Sequence, residues 1–320
     1  MDPLVKLEDL MNRNFPQEEW LVDRILPEEA ITILSGPPAS YKTWVLLDIA
    51  IAVSSHKPLF GKFKTSQAGV LIIDEENNPR ILQKRLFMLQ ATADLPIYFS
   101  NSPGFKLNDE NVDLAILNCQ AYGIKLVIID SLVRIHASDE NSAGDMAAVF
   151  DHLKRFTVKG ITVLVTHHNR KPGANRSYTG SEMRGSSDIL AAVDSHLALS
   201  RKDRQLVFHQ TKQRGEEELE PFQIVANIDK YSFAFEYQGK LEVREDKVQA
   251  IQNAIVMLLT DNGKLMQKEL LALLEDTGVK TNEHKLRTVL GAMVAEGVLQ
   301  ETAGSGKTKL YSLREVTPNE

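Results

Sequence analysis

Gly36-Pro37-Pro38-Ala39-Ser40-Tyr41-Lys42-Thr43 follows an apolar run and opens a helical pattern, the setting in which a glycine-anchored loop cradles phosphates. Backbone N–H groups of such a loop and of the first helical turn face an anion, and the helix dipole adds to the field. Lys42 is then the cation for the β- and γ-phosphates, and the Thr43 hydroxyl is a ligand for Mg²⁺. ATP and Mg²⁺ are the cofactors this chemistry needs. The position before the lysine is ordinarily glycine and here is Tyr41; a left-handed backbone there would cost a tyrosine ~1–2 kcal/mol. Gly304-Ser305-Gly306-Lys307-Thr308 keeps a Gly-Lys-Thr ending, but its first glycine would fall at Glu301 and a strand follows. It reads as a turn.

Two apolar runs end in acid, Ile73-Asp74-Glu75-Glu76 and Ile129-Asp130-Ser131. Nucleotide hydrolysis needs one carboxylate on the magnesium side and a second that orients or deprotonates water. A third run closes on Thr166-His167-His168. Adjacent histidines on a strand end point apart, which argues against a shared metal. Asn169–Tyr178 is a basic loop without acid, and Arg184 follows it. Arg170, Lys171, Arg176 and Arg184 are phosphate partners for a nucleic acid strand, and Tyr178 is a stacking surface for a base. Lys212 and Arg214 stand two apart at a strand end and project to the same side.

The elements that would carry these residues alternate. Ile31–Leu34, Val70–Ile73, Leu126–Ile129 and Ile161–Val165 are short and rich in β-branched residues, as strands buried on both faces of a parallel sheet are. Helical patterns lie between or after them, over Trp44–Val53, Arg80–Gln90, Leu114–Tyr122 and Met146–Phe156. This rhythm predicts a doubly wound α/β domain with a mostly parallel sheet. Leu206–Gln210 and Phe222–Ala226 read as two further strands. The pattern changes near Tyr237-Gln238-Gly239-Lys240, so the expected domains are 1–242, with a lead-in over 1–25, and 243–320. In the second, helices are expected over Lys247–Thr260, over Gln267–Leu274 and after Asn282, and strands over Val298–Thr302 and Thr308–Leu313. Three helices and a hairpin resemble a winged helix-turn-helix domain. Lys285 and Arg287 on the third helix, with Lys307 and Lys309 on the wing, are its candidate DNA contacts.

The phosphate loop, Asp74-Glu75-Glu76, Ile129-Asp130-Ser131, Asp139-Glu140-Asn141-Ser142-Ala143, Thr166-His167-His168, Arg184-Gly185-Ser186-Ser187 and Thr211-Lys212-Gln213-Arg214 occur in that order after Glu19-Trp20-Leu21-Val22. The set resembles the RepA-type hexameric ATPases of RecA-like fold, relatives of the DnaB-like replicative helicases. The resemblance spans about residues 15–240. It implies a RecA-like P-loop ATPase core, with Asp130 on the magnesium side and Glu75 as the catalytic glutamate, Glu76 competing one residue away. It also implies that His167 senses the γ-phosphate and that the loop after it contacts single-stranded DNA. Arg214, with Lys212 as its companion, would act in trans as a finger in the neighbouring subunit of a hexamer.

A net charge of −6 over 320 residues excludes a coat protein held to nucleic acid by bulk charge. Residues 241–320 carry ten Lys/Arg against twelve Asp/Glu, so protein docking competes with DNA contact there. The single cysteine, Cys119, leaves no internal disulfide, and no apolar run is long enough for a membrane span. A cytoplasmic protein is expected. The leading expectation is a Mg²⁺-dependent ATPase that translocates on single-stranded DNA and unwinds it during replication. The alternatives are an ATP-gated DNA-binding switch or loader without strand separation, and a recombinase-like filament.

Overall fold

A computed structural model of the chain describes residues 4–13, 19–100, 104–138, 142–168, 186–241, 247–304 and 308–314, apart from the side chains of 143, 186–188, 247 and 249. The chain divides into two compact units, Met1–Leu241 and Glu242–Glu320. The first opens with α1 (Leu7–Met11), which buries no side chain, and a ribbon of β1 (Trp20–Val22) and β2 (Leu26–Pro27). β3 (Ile31–Gly36) then carries the glycine loop into α2 (Lys42–Ser55). Next come β4 (Gly69–Asp74), α3 (Pro79–Met88), β5 (Ile97–Phe99), α4 (Asp109–Ala121) and β6 (Ile124–Asp130). They are followed by α5 (Leu132–Ile135), α6 (Ala143–Thr157), β7 (Thr162–His168) and α7 (Ser186–Ala192). Four strands close the unit: β8 (Ser195–Lys202), β9 (Gln205–Gln213), β10 (Phe222–Ile228) and β11 (Phe233–Lys240).

One nine-stranded sheet holds β3 to β11 in the order β11-β10-β9-β8-β3-β7-β6-β4-β5. Every pair from β8 across to β5 is parallel. β9, β10 and β11 extend the sheet antiparallel. Period-two alternation divides the buried side chains between two cores. Val70, Ile72, Leu126, Ile128 and Leu164 face α2, while Leu71, Ile73, Val127, Ile129, Val163 and Val165 pack with α4 and α6. Open sheets of this kind present ligands at the carboxyl ends of their strands. The glycine loop, both acidic ends and the paired histidines all lie there.

Three strands of this sheet differ from expectation. β5 is only three residues long, Ile-Tyr-Phe, and β8 and β11 are mixed in composition: β8 reads Ser-His-Leu-Ala-Leu-Ser-Arg-Lys and β11 Phe-Ala-Phe-Glu-Tyr-Gln-Gly-Lys. Pairing on the sheet, not local composition, makes them strands.

The second unit contains α8 (Lys247–Asn262), β12 (Leu265–Met266), α9 (Gln267–Asp276) and α10 (Glu283–Ala295), then β13 (Leu299–Ala303) and β14 (Lys309–Leu313). The Asn282 side chain accepts from the Lys285 amide and caps α10. β12, β14 and β13 form a three-stranded antiparallel sheet. Ile251, Ile255, Leu270, Leu286, Leu290 and Tyr311 build its core. Among the described residues, no helix is long and apolar enough to cross a membrane.

Candidate nucleotide-hydrolysis site

The loop after β3 is built around one close approach. A Cβ on Gly36 would meet Leu199 O at 2.7 Å and Ser40 Oγ at 2.9 Å, so only glycine fits. Ala39 and Tyr41 both take left-handed backbone, with φ of 61° and 68°. Tyr41 is held there from two sides. The Arg201 guanidinium lies 3.5 Å from its ring centroid, and Phe233 meets it edge-on at 5.5 Å. Arg201 also donates to Ala39 O at 2.7 Å, so β8 braces the loop directly. The contacts offset the strain. Tyr41→Gly removes a strain of about 1–2 kcal/mol together with stacking of similar size, whereas Tyr41→Ala removes only the stacking. Thermal unfolding is expected to rank Tyr41→Ala below Tyr41→Gly, with the glycine variant near wild type; the reverse ranking would refute this account.

Lys42 is buried at the start of α2, and its Nζ donates to Gly36 O at 2.9 Å and Pro37 O at 3.0 Å. Burial lowers its pKa, opposed by Asp130 and Glu76. Ser40 Oγ is buried without a hydrogen-bond partner among the described residues. A buried cation and an orphaned hydroxyl on one loop fit a polyanion.

Asp130 lies between two hydroxyls. Thr43 Oγ1 donates to its Oδ2 and Thr166 Oγ1 to its Oδ1, each at 2.6 Å. Burial pushes its carboxyl pKa up, against those two bonds. A buried carboxylate touching a threonine hydroxyl is an all-oxygen donor set suited to Mg²⁺; Thr43 and Asp130 are the residues that would hold it. The sequence motif Thr166-His167-His168 assigns Thr166 no role, yet it shares the parity of Leu164 and so faces α2.

Asp74 stands beside Asp130 in strand register and also has a raised pKa from burial. It accepts from the amides of Glu76 and Asn77 and from the Asn77 side chain, and Asn77 Oδ1 accepts from Arg85. This turn aims the next two acids in opposite directions. Glu76 Oε1 accepts from Ser131 Oγ and meets His168 Nε2 at 3.1 Å. The His168 contact leads in lowering its pKa to about 2. Glu75 instead accepts from the amides of Gly104 and Phe105, each at 2.9 Å.

The two competing glutamates thus part company. Glu75 has the parity of Leu71 and Ile73 and is turned to the far side of the sheet, so Glu76 is the acid beside Lys42 and Asp130. His167 parts from His168 for the same reason. It is 2% exposed, level with Ser35 in register and of one parity with Val163 and Val165, whereas His168 is half-buried and reaches Glu76.

A second buried polar group adjoins His167 from β8. His196 bonds Ser35 Oγ at 2.8 Å through Nε2 and Thr211 through Nδ1. Burial foremost, then His167, pushes its pKa down to about 4. The folded chain therefore refuses a proton that the unfolded chain binds below about 6.5. Stability is fully present above that pH and falls as pH drops toward 4, by about 3 kcal/mol from this group. His196→Gln is expected to flatten the pH dependence of the denaturation midpoint between those values. An unchanged slope would refute the assignment.

Arg214 and Lys212 lie at the opposite end of β3 from the loop. Arg214 Nη1 pairs with Asp194 at 3.0 Å, and Asp194 Oδ2 accepts from the Ile31 amide, which begins β3. The six residues of β3 separate Arg214 from its own loop by about 16 Å. The Arg214 side chain is 61% exposed. Arg214 Nη2 also reaches Ala191 O at 3.4 Å, and Lys212 Nζ donates to Leu190 O and Ala191 O at the end of α7. Both cations are thus held by their own protomer, Arg214 by Asp194 and Lys212 by α7.

Arg170, Lys171, Arg176, Tyr178, Arg184 and Lys307 lie outside the described residues, as does the Asp139-Glu140-Asn141 segment. In the second unit Lys285 and Arg287 lie on α10. Lys309 pairs with Glu301 across the hairpin at 2.8 Å. Among the described residues no cluster of three or more His, Cys, Asp or Glu forms a metal site.

No curated protein matches the chain. Among family comparisons, the AAA domain family AAA_25 matches residues 2–174. That segment covers more than half of the chain and holds the glycine loop, Asp74 to Glu76, Asp130 and Thr166. The chain belongs to this family of AAA-domain P-loop ATPases.

Proposed function

We propose that the chain is a magnesium-dependent ATPase that assembles head to tail into a hexameric ring of RepA-like type. Hydrolysis between subunits would drive translocation on single-stranded DNA and its unwinding in replication. The observation that carries this reading is the position of Arg214: exposed, and a strand's length from its own loop. If that cation serves hydrolysis, it serves another protomer.

In this reading the loop amides and Lys42 hold the phosphates, and Thr43 and Asp130 hold the metal. When bound, Mg²⁺ neutralises charge on the phosphate oxygens. Glu76, ionised and fixed by Ser131 and His168, orients the attacking water. His168 stands level with Gly36, next to where the terminal phosphate would lie. Arg214 of one protomer offsets transition-state charge at its neighbour, with Lys212 positioning the strand end through α7. The second unit serves as a winged helix that contacts DNA through Lys285, Arg287, Lys307 and Lys309. The basic loop of residues 169–178 and Arg184 supply the single-strand contacts.

The net negative charge of the second unit and the Lys309–Glu301 pair favour a second reading, in which that unit docks protein and ATP acts as a switch. Hydrolysis assays with and without single-stranded DNA separate the two. The motor predicts salt-sensitive stimulation by DNA, and binding without turnover under either condition overturns it. Arg214→Ala and Lys42→Ala are each expected to lose at least about 100-fold in turnover. Mixing them is expected to restore a fraction of it, because an intact loop then meets an intact finger. No recovery on mixing would overturn action in trans.

A further inference from the structure

A groove of about 610 Å³ lies on the first unit between α3 and the turn joining β10 to β11. Arg80, Lys84, Phe87 and Met88 line it from the helix, and Lys230 and Tyr231 from the turn. Phe87 is 68% and Tyr231 74% exposed, unusual for rings with no role in a core. Lys230 Nζ sits 5.0 Å from the centre of the Tyr231 ring. Arg80, Lys84 and Lys230 have no carboxylate within ion-pair distance among the described residues. The nearest acid in sequence, Asp229, accepts from the Lys230 amide. The third cation of α3, Arg85, turns inward to Asn77 and lies over Trp44. The rest of the helix is left basic outward and bears no acid.

The complementary surface follows Arg214 directly. Glu216, Glu217, Glu218 and Glu220 are all exposed. Glu216 meets Arg24 and Glu220 meets Lys240; Glu217 accepts from Arg24 through its backbone carbonyl, whereas the carboxylates of Glu217 and Glu218 have no ion-pair partner among the described residues. The segment is pinned, because Leu219 donates its amide to Gln210 Oε1 at 2.6 Å and Gln210 Nε2 donates to Arg24 O at 3.0 Å. It starts beside Arg214, at the end of the sheet away from the phosphate loop, and leads back to Phe222, which pairs with Phe208. α3 starts at the loop's own end, just after the Asp74–Asn77 turn. A contact that carries Arg214 to a neighbour's loop brings Glu217 and Glu218 within about 13 Å of the same point. That is where the neighbour's basic groove begins.

We propose that the groove between α3 and the β10–β11 turn receives the acidic segment Glu216–Glu220 of a second copy, forming a head-to-tail contact that sets Arg214 into the neighbouring site. The inference rests on the trans reading above and adds to it the surface that determines which faces meet. The two patches lie on different parts of the protomer, so the contact is heterologous and propagates to a ring or a filament. Opposite charge around apolar rings supplies register and speed of encounter.

The test is charge exchange, read as assembly of the full chain with ATP by sedimentation velocity. Glu217→Lys with Glu218→Lys, or Lys84→Glu with Lys230→Glu, is expected to weaken assembly by about tenfold or more. Carrying all four changes in one chain is expected to restore it, since every protomer then offers both reversed faces. All are surface changes, and unchanged thermal midpoints confirm folding. Reversals that leave assembly untouched overturn the groove contact, even if mixing Arg214→Ala with Lys42→Ala still recovers turnover. Such recovery would leave the trans reading standing. A wild-type chain that stays monomeric with ATP overturns both. Loss of binding to labelled oligothymidylate, with assembly intact, would make the groove a nucleic-acid surface and overturn the proposal.

Discussion

Lys42→Ala is expected to abolish ATP turnover while leaving the fold as stable as before. The ammonium is buried at the loop, bonded to the carbonyls of Gly36 and Pro37. Burial lowers its pKa, with Asp130 and Glu76 acting the other way. In the free chain it is therefore a costly group whose deletion relieves desolvation and costs two hydrogen bonds, effects that nearly cancel. With a triphosphate in the loop the balance reverses. The cation then faces the charge that builds on the transferred group, and such contacts are worth about 3–4 kcal/mol in a preorganised site. Turnover is expected to fall by about 10²–10³-fold, with the thermal midpoint unchanged or slightly higher. Lys42→Arg is expected to fail as well, because a planar guanidinium cannot enter a pocket closed by two carbonyls. A variant retaining more than about a tenth of wild-type turnover, or one that unfolds, would overturn this account of the loop.

The sequence makes the loop legible because a glycine, a lysine and a threonine at fixed spacing after a strand have a physical reason to be together. The parallel strands are legible for a similar reason: burial on both faces demands continuous apolar runs such as Leu126–Ile129. Also legible in principle is the parity of the strand ends. Asp74 and Asp130 are register partners on the α2 side, and alternation from them selects Glu76 over Glu75 and, from Leu164 and Thr166, His168 over His167. The braces behind the site could not be read at all. Arg201 bonds Ala39 across 162 positions and His196 bonds Ser35 across 161. β8, which supplies both, has too mixed a composition to announce itself. Its place beside β3 comes from the closing of the sheet, a long-range event with no local signature.

Parity also yields the sharpest contrast the site offers. Glu76→Gln is expected to lower turnover by about 10²–10⁴-fold with ATP binding and thermal midpoint retained. The amide keeps the shape of the carboxylate and can still accept from Ser131, but it cannot act on water as an anion does. The bonds from His168 and Ser131 hold Glu76 near a pKa of about 2, so it is ionised throughout the range in which hydrolysis can be assayed. An acid that strong is a poor acceptor of a whole proton and a good anchor for the direction of a water. The pH–rate profile should accordingly show no Glu76 limb near 4 to 5. His168→Ala, by removing the leading cause of the depression, should bring that limb up toward the ordinary glutamate range. Glu75→Gln is expected to do the opposite of Glu76→Gln. Its carboxylate serves the amides of Gly104 and Phe105 on the other side of the sheet, and replacing a charged acceptor of two backbone bonds costs about 1–3 kcal/mol of stability. Turnover of the folded variant should stay near wild type. Steady-state hydrolysis and thermal unfolding on the two variants decide the matter. If Glu75→Gln loses turnover while Glu76→Gln keeps it, the strand end reaches the nucleotide in a different register from the one described, and the water is oriented from the other face.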